Sequence, residues 1–278
     1  MVGILLTILA GITFASTDAL GKQLTELLPV LQVLWARYVF QTLLMMAYLS
    51  SKSGTQFLYT NYPLLQTVRG VTLLGATLLM YFALANMPLA DATSVLFFSP
   101  ILVTLLSVVF LKEPIGVHRI AAVVAGFSGV LLIVQPGFES TSLYLLLPLG
   151  AACLHATYLL LTRQLSGVEE RDSTQFNTTA VGAIILSTLV LPVWETPSPS
   201  VFALLGIFGV IGTLGHVCLV SAFAHAPASL LSPFLYSQVL FASILSLLWF
   251  GDPLRLSMLL GTTILVGSGL YIWRRENR

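Results

Sequence analysis

The chain has 278 residues and a formal net charge of +1, with 8% charged residues against 57% hydrophobic ones and a mean hydropathy of +0.95. A soluble domain carries about 25% charged residues, so water is not the main solvent of this protein. The balanced charge offers nucleic acid no basic face, and at about 20 apolar residues per crossing the length holds roughly ten membrane spans and no additional soluble domain.

Breaks at Pro, Gly and polar clusters divide the chain into apolar segments at 2–21, 30–50, 63–86, 89–111, 118–134, 142–165, 174–194, 199–224, 228–250 and 255–273. Lipid offers no partner to a free backbone group, and these segments are too long and too uniformly apolar for the alternating strands of a barrel, so each is expected to be a helix. The first segment resembles a signal peptide, but it lacks a basic leading region and has a counterpart opening the second half, so it is expected to stay in the mature chain.

The stretch Ala85–Ile115 recurs 139 positions later as Ala224–Leu254, without a gap. Pro88 matches Pro227, Ser107 matches Ser246, and the step Glu113-Pro114 returns as Asp252-Pro253. Internal repetition of this length is a fold signal. With an odd number of spans in each half, the second copy must sit inverted relative to the first. The expected fold class is an all-α integral membrane protein, ten transmembrane helices arranged as two inverted five-helix repeats over 1–138 and 139–278. Positive loops stay in the cytoplasm. A cytoplasmic N-terminus puts Lys52, Lys112, Arg119, Arg163, Arg171, Arg274, Arg275 and Arg278 inside and only Lys22 and Arg255 outside. Both termini are therefore expected in the cytoplasm, with the chain in the inner (plasma) membrane.

Two arginines remain, both inside spans. Arg37 lies about seven residues into its segment, roughly 10 Å of helix rise from water, and a charge at that depth costs about 3 kcal/mol unless paired, wetted or functional. Its planar fork suits a substrate carboxylate or phosphate, or a partner carboxylate between transport events. Asp18 is the acidic candidate for that partnership, although it also stands four residues before Lys22 and could form a local surface pair there. Arg69 lies close enough to a span end for its side chain to snorkel to the headgroups. Under the 139-residue offset Arg37 and Arg69 correspond to Phe176 and Phe208, so these charges break the symmetry of the repeat.

His155 and His216 are mid-span groups that suit proton exchange or hydrogen bonding, or simple interhelical packing. Tyr81, Tyr158, Tyr236 and Gln238 add rings and polar tips fitted to a cavity that stacks a small organic molecule, with core packing as the alternative. Gly206, Gly209, Gly212 and Gly215 form a ridge where a neighbouring helix can approach closely, and Gly126, Gly129, Gly267 and Gly269 read the same way. Trp194, Trp249 and Trp273 lie at span ends as headgroup anchors. Cys153 and Cys218 are expected to be buried small hydrophobes rather than a disulfide or metal pair. The fifth and tenth spans, poor in polar residues, are expected at the periphery.

With these residues assembled, the sequence resembles the drug/metabolite transporter superfamily, with two EamA-type domains over nearly the whole chain. The resemblance is carried by Trp35-Ala36-Arg37-Tyr38, Tyr81-Phe82-Ala83-Leu84 followed by Pro88, Ser99-Pro100, Phe110-Leu111-Lys112-Glu113-Pro114, and Gly251-Asp252-Pro253 in the second half. It implies ten helices, cytoplasmic termini and a central cavity enclosed by spans 1–4 and 6–9. Asp18, Lys22, Arg37 and the segment Leu28-Pro29-Val30-Leu31-Gln32 also resemble a subgroup that includes uptake carriers for riboflavin or S-adenosylmethionine.

The function expected is secondary transport of a small polar or aromatic-bearing metabolite by alternating access. The candidate substrate-binding or gating residues are Arg37, Asp18, Trp35, Tyr81, His155, Tyr158, His216, Tyr236 and Gln238. Partners are the small-molecule substrate, the lipid bilayer and, as a candidate coupling ion, the proton; no tightly bound cofactor or metal is expected, and the oligomeric state is not legible. The alternative is an integral-membrane enzyme built on Cys153, His155 and His216, but no HExxH pair or phosphate-binding loop accompanies them.

Overall fold

The computed structural model describes residues 1–111, 117–134, 144, 146–226, 231 and 234–276, and within these the chain is helical with short turns. Helix α1 runs over Val2–Thr25, α2 over Val30–Ser53, α3 over Pro63–Leu84, α4 over Leu89–Leu96 and α5 over Ser99–Leu111. Helix α6 over Val117–Val134 closes the first half, and in the second half α7 covers Leu146–Leu165, α8 Arg171–Leu189, α9 Pro199–His225, α10 Ser237–Trp249 and α11 Leu256–Glu276. Proline punctuates the starts. Pro29 and Pro88 occupy the N-cap positions of α2 and α4, and Pro63 and Pro199 open α3 and α9, where a missing N–H leaves no helical bond unmade.

Among the described residues six helices are long and apolar enough to cross a membrane: Val2–Thr25, Val30–Ser53, Pro63–Leu84, Leu146–Leu165, Pro199–Phe223 and Leu256–Arg275. Shorter apolar helices cover Leu89–Val103, Ile120–Ile133 and Ser237–Trp249. Helix α8 opens with the polar run Arg171-Asp172-Ser173-Thr174-Gln175, which lowers its hydropathy. Large apolar side chains such as Leu5, Leu43, Ile184, Leu214 and Leu248 are exposed on the outer helix faces. In water such a surface would aggregate, whereas against lipid it carries no penalty.

One segment read from the sequence as continuous is broken. The span at 89–111 divides into α4 and α5 at Phe97-Phe98, because Pro100 cannot donate to residue 96 and its ring would crowd that carbonyl. Tyr236, which matches Phe97 under the 139-residue offset, also stands at a turn, just before α10 begins. The two rings meet, with centroids 5.6 Å apart.

The main helix pairings follow the repeat. Helix α1 packs on α9 and α10, and its counterpart α7 packs on α3 and on α4 and α5. Helix α2 lies against α8 and α9, α8 also against α3, and α6 against α11. Apart from α7 on α4, whose counterpart would fall on residues 228–235, these pairings turn into themselves when each helix is exchanged for its counterpart in the other half. The α6–α11 crossing depends on glycine, since a Cβ at Gly129 would lie 2.7 Å from the Gly261 carbonyl oxygen. Without a hydrophobic drive between helices in lipid, such close backbone approach supplies the packing. On α9, Gly209 faces Phe40, Gly212 faces Gln41 and Gly215 faces Phe14, so three of the four ridge glycines admit α1 and α2 while Gly206 meets nothing.

Several expectations change. Cys153 is exposed and Cys218 only partly buried, rather than both being core residues, because their helix faces turn outward. Helix α11 is not wholly peripheral: Gly269, Leu270 and Trp273 reach the central cavity, which takes Trp273 beyond the anchoring role expected of it. The Glu113-Pro114 step, Lys112, Pro227, Arg278 and the 138/139 boundary lie outside the described residues.

Candidate substrate site

A cavity of about 940 Å³ runs through the middle of the molecule, lined by α1 to α5, by α7 to α11 and by the Phe97 and Tyr236 turns. One end reaches Thr7, Arg163, Phe223 and Trp273, all close to the face where α1 begins. The other end is sealed. Leu20, Leu24, Leu34, Met80, Leu84 and Phe208 belong to one buried cluster there, and polar ties join the segments around them. Lys22 Nζ donates to the carbonyl oxygens of Leu84 at 3.1 Å and Met87 at 2.6 Å. Gln32 exchanges two hydrogen bonds with the Glu195 backbone, at 2.6 and 2.9 Å. Arg255 pairs with Asp91 at 2.6 Å, and Ser246 accepts from the Ala90 N–H at 3.3 Å while donating to Asp252 at 2.8 Å.

At the sealed end four side chains form one string. Gln238 Nε2 donates to Asp18 Oδ2 at 3.1 Å, the Tyr81 hydroxyl donates to Asp18 Oδ1 at 3.4 Å, and Arg37 Nη1 donates to the Tyr81 oxygen at 3.0 Å. Four helices supply them: α1, α2, α3 and α10. The link between Asp18 and Arg37 therefore runs through a phenol. The Arg37 guanidinium also lies over the rings of Tyr81 at 5.6 Å and Phe208 at 5.7 Å, contacts worth about 0.5–2 kcal/mol each. Arg37 keeps part of its surface open to the cavity, while Asp18 is buried. Tyr81 is held by α1, since a Cβ at Gly21 would collide with its ring.

The aromatic candidates line the wall nearer the middle. His155 Nδ1 lies 3.1 Å from Ser99 Oγ and its ring stacks on Tyr158 at 5.8 Å. His216 meets Phe14 edge to face at 5.1 Å, and Tyr236 packs on Phe97. Eight of the nine candidates, Asp18, Arg37, Tyr81, His155, Tyr158, His216, Tyr236 and Gln238, thus border one cavity. Trp35 does not. Its indole N–H donates to Ser187 Oγ at 3.0 Å and its ring meets Trp194 at 5.2 Å, two residues of helical rotation away from Arg37.

Two further residues are placed differently from their sequence reading. Lys22 makes no surface pair with Asp18; it turns toward the end of α3, where carbonyls without helical partners attract a cation. Arg69 does not snorkel. It is 1% exposed, bonded to Thr162 Oγ1 at 3.3 Å, to Thr178 Oγ1 at 2.5 Å and to the Thr174 carbonyl, and it lies over Tyr158 at 5.3 Å. It ties α3 to α7 and α8. The sequence reading missed Gln41, which borders the cavity one helical turn beyond Arg37 and whose Nε2 has no partner among the described residues. The i, i+4 spacing from Arg37 was the available signal.

A buried polar string at the closed end of a cavity between apolar helices is the arrangement of a small-molecule membrane carrier. The chain belongs to the EamA-like transporter family, whose family model matches residues 1–135 and 142–274. It is a transporter and not an enzyme. Among its relatives are the pseudopaline exporter of Pseudomonas aeruginosa, 32% identical over 95% of this chain and 93% of that protein, and the riboflavin transporter of Rhizobium johnstonii, 28% identical over 100% of this chain and 93% of that one. The S-adenosylmethionine uptake transporter of Rickettsia felis is 26% identical over 98% of this chain and 92% of its own length. A protein of known crystal structure shares the fold, with a TM-score of 0.70 and 18% identity over 99% of both chains.

Proposed function

We propose that the protein is a secondary carrier that moves a small polar or aromatic-bearing metabolite across the inner membrane by alternating access. Ten transmembrane helices form two inverted five-helix repeats, and both termini lie in the cytoplasm. The observation that carries this reading is the Gln238–Asp18–Tyr81–Arg37 string at the sealed end of the cavity. It presents a cation, an anion and an amide within a few ångströms of one another, below a wall of aromatic rings. Arg37 takes an anionic group of the substrate, Asp18 a cationic or hydrogen-bond-donating group, and the rings of Tyr236, His155, Tyr158 and His216 hold the body of the molecule.

Support for inversion comes from helix pairings that map onto themselves when the halves are exchanged and from the contact between Phe97 and its counterpart Tyr236. Lys52, Arg163, Arg171, Arg274 and Arg275, all on the side that holds the N-terminus, support its cytoplasmic placement. The cavity reaches that side, so the conformation corresponds to access from the cytoplasm. The named relatives carry pseudopaline, riboflavin and S-adenosylmethionine. Each combines charged or polar groups with a sizeable organic body, as the proposed site requires.

The test is a thermal-stability screen of the purified protein against amino acids, nucleosides and flavins, followed by flux into proteoliposomes. A ligand at 100 times its Kd stabilises by about 2.7 kcal/mol through mass action. Arg37→Ala is expected to remove both the stabilisation and the flux while the protein remains folded in the membrane. Wild-type flux in that variant would remove Arg37 from the site.

A further inference from the structure

We propose that Lys22 and Arg163 are two alternating latches, Lys22 holding the cavity shut at the far face in the present conformation and Arg163 making the equivalent bonds at the N-terminal face when the carrier turns over. This rests on the alternating-access reading above. Neither residue touches the polar string, and each acts on the gates.

The engaged latch is visible. Lys22 stands one turn beyond Asp18 on α1, at the sealed end. Its ammonium donates to the Leu84 and Met87 carbonyls, which are the end of α3 and the turn into α4, and it lies 5.2 Å over the Phe250 ring at the end of α10. One half-buried cation therefore joins three separate segments across the closed mouth. The acceptors are helix-terminal carbonyls, where both unmet hydrogen bonding and the helix dipole favour a positive charge.

The second latch follows from the repeat. With α1 laid on α7, Lys22-Gln23-Leu24 falls on Arg163-Gln164-Leu165, and Phe14 falls on His155. Under the 139-residue offset Leu84 becomes Phe223 and Met87 becomes Ala226. Arg163 and Phe223 border the cavity at its N-terminal end, and Ala226 caps α9. The repeat thus places a cationic side chain, Arg163, on the same side of the molecule as the C-terminal end of α9, the side that is open here. Asp18 and Lys22 share helix α1, so a substrate seated on Asp18 acts directly on the helix that carries the engaged latch.

The experiment uses the full chain with Cys153→Ser and Cys218→Ser, and Leu73→Cys as a probe, since Leu73 borders the cavity midway along α3. A membrane-impermeant thiol reagent is applied from either face of oriented vesicles. One charge-assisted hydrogen bond is worth about a tenfold change in an equilibrium, so Lys22→Met should raise labelling from the far face, relative to the N-terminal face, by about that factor. Arg163→Met should lower the same ratio, and Lys22→Arg should keep it near wild type, which loss of a merely structural group would not do. Lys22→Gln serves if the Met variant does not fold. Labelling from both faces with a ratio that Lys22→Met and Lys22→Gln leave within about twofold of wild type overturns the latch alone. Labelling from one face in every background overturns alternating access, and the latch with it.

Discussion

The Tyr81 hydroxyl is the one atom that joins the acid and the base of the site, and Tyr81→Phe removes it with little else. The ring is 1% exposed, it remains packed against Gly21, and its face remains under the Arg37 guanidinium at 5.6 Å. What disappears is a 3.0 Å bond from Arg37 and a 3.4 Å bond to Asp18. A hydrogen bond to a charged group contributes about 1.5–3 kcal/mol, and a bond near 3.4 Å contributes far less. Arg37 faces the cavity, so water can replace part of the first loss. The expected cost is about 1–2 kcal/mol, or roughly 5- to 30-fold in the folded-to-unfolded ratio. Denaturant titration of the purified protein in detergent measures it, and double-mutant cycles apportion it. Coupling of Tyr81→Phe to Arg37→Gln should exceed its coupling to Asp18→Asn, because the first bond is the shorter. Stability unchanged in Tyr81→Phe, or a loss assigned by the cycles to Asp18 alone, would refute the bridging arrangement.

At the α6–α11 crossing, Gly129→Val places side-chain atoms against the Gly261 carbonyl and the Leu265 N–H, at 2.7 and 3.1 Å from the Cβ; it should cost about 1–3 kcal/mol in the same titration. Gly267→Ala, where nothing lies within 4 Å, should be neutral or stabilising; an equal loss in both variants would contradict close packing at Gly129. In the loop before α8, burial works against the charged form of the Glu169 carboxylate, but hydrogen bonds from the Thr60 hydroxyl and from the Glu170, Asn61 and Tyr62 backbone N–H groups hold its pKa below the ordinary value. A depressed carboxylate pKa gives stability that is present above the ordinary value and lost as pH falls through the folded-state value. Stability curves of wild type and Glu169→Gln should therefore converge as pH falls through that window, and parallel curves would remove Glu169 as the cause.

Much of the fold was legible because lipid reduces the choice to helices, and the segments then follow from hydropathy and proline. The break at Phe97-Phe98 was not read, although Pro100 marks it, because the apolar run continues across it unaltered. Azimuth was the harder quantity. Arg37, Asp18, Tyr81 and Gln238 could be picked out as polar groups at depth, and the helices do turn them toward one another. Trp35 is a candidate in the sequence, yet two residues of rotation from Arg37 place it against Trp194 instead. Arg69 was given to the headgroups by its distance from a span end, whereas Thr162, Thr174 and Thr178 offered it closer partners from two other helices. Lys22 likewise found the end of α3, a contact 62 residues away in sequence that no local spacing announces. In a nearly uniform apolar helix, depth is written in the sequence and direction hardly at all.

The meeting of Phe97 with Tyr236 has a mechanical consequence. A residue touches its own duplicate only close to the axis about which two halves trade places, and each of these rings also marks the point where its helix changes course. Under the alternating access proposed above, that contact is the fulcrum: as the halves exchange shapes, its surroundings look the same before and after, and the arms on either side swing about it. A substitution there weighs on both arms alike, slowing the stroke without tilting it toward one side of the membrane.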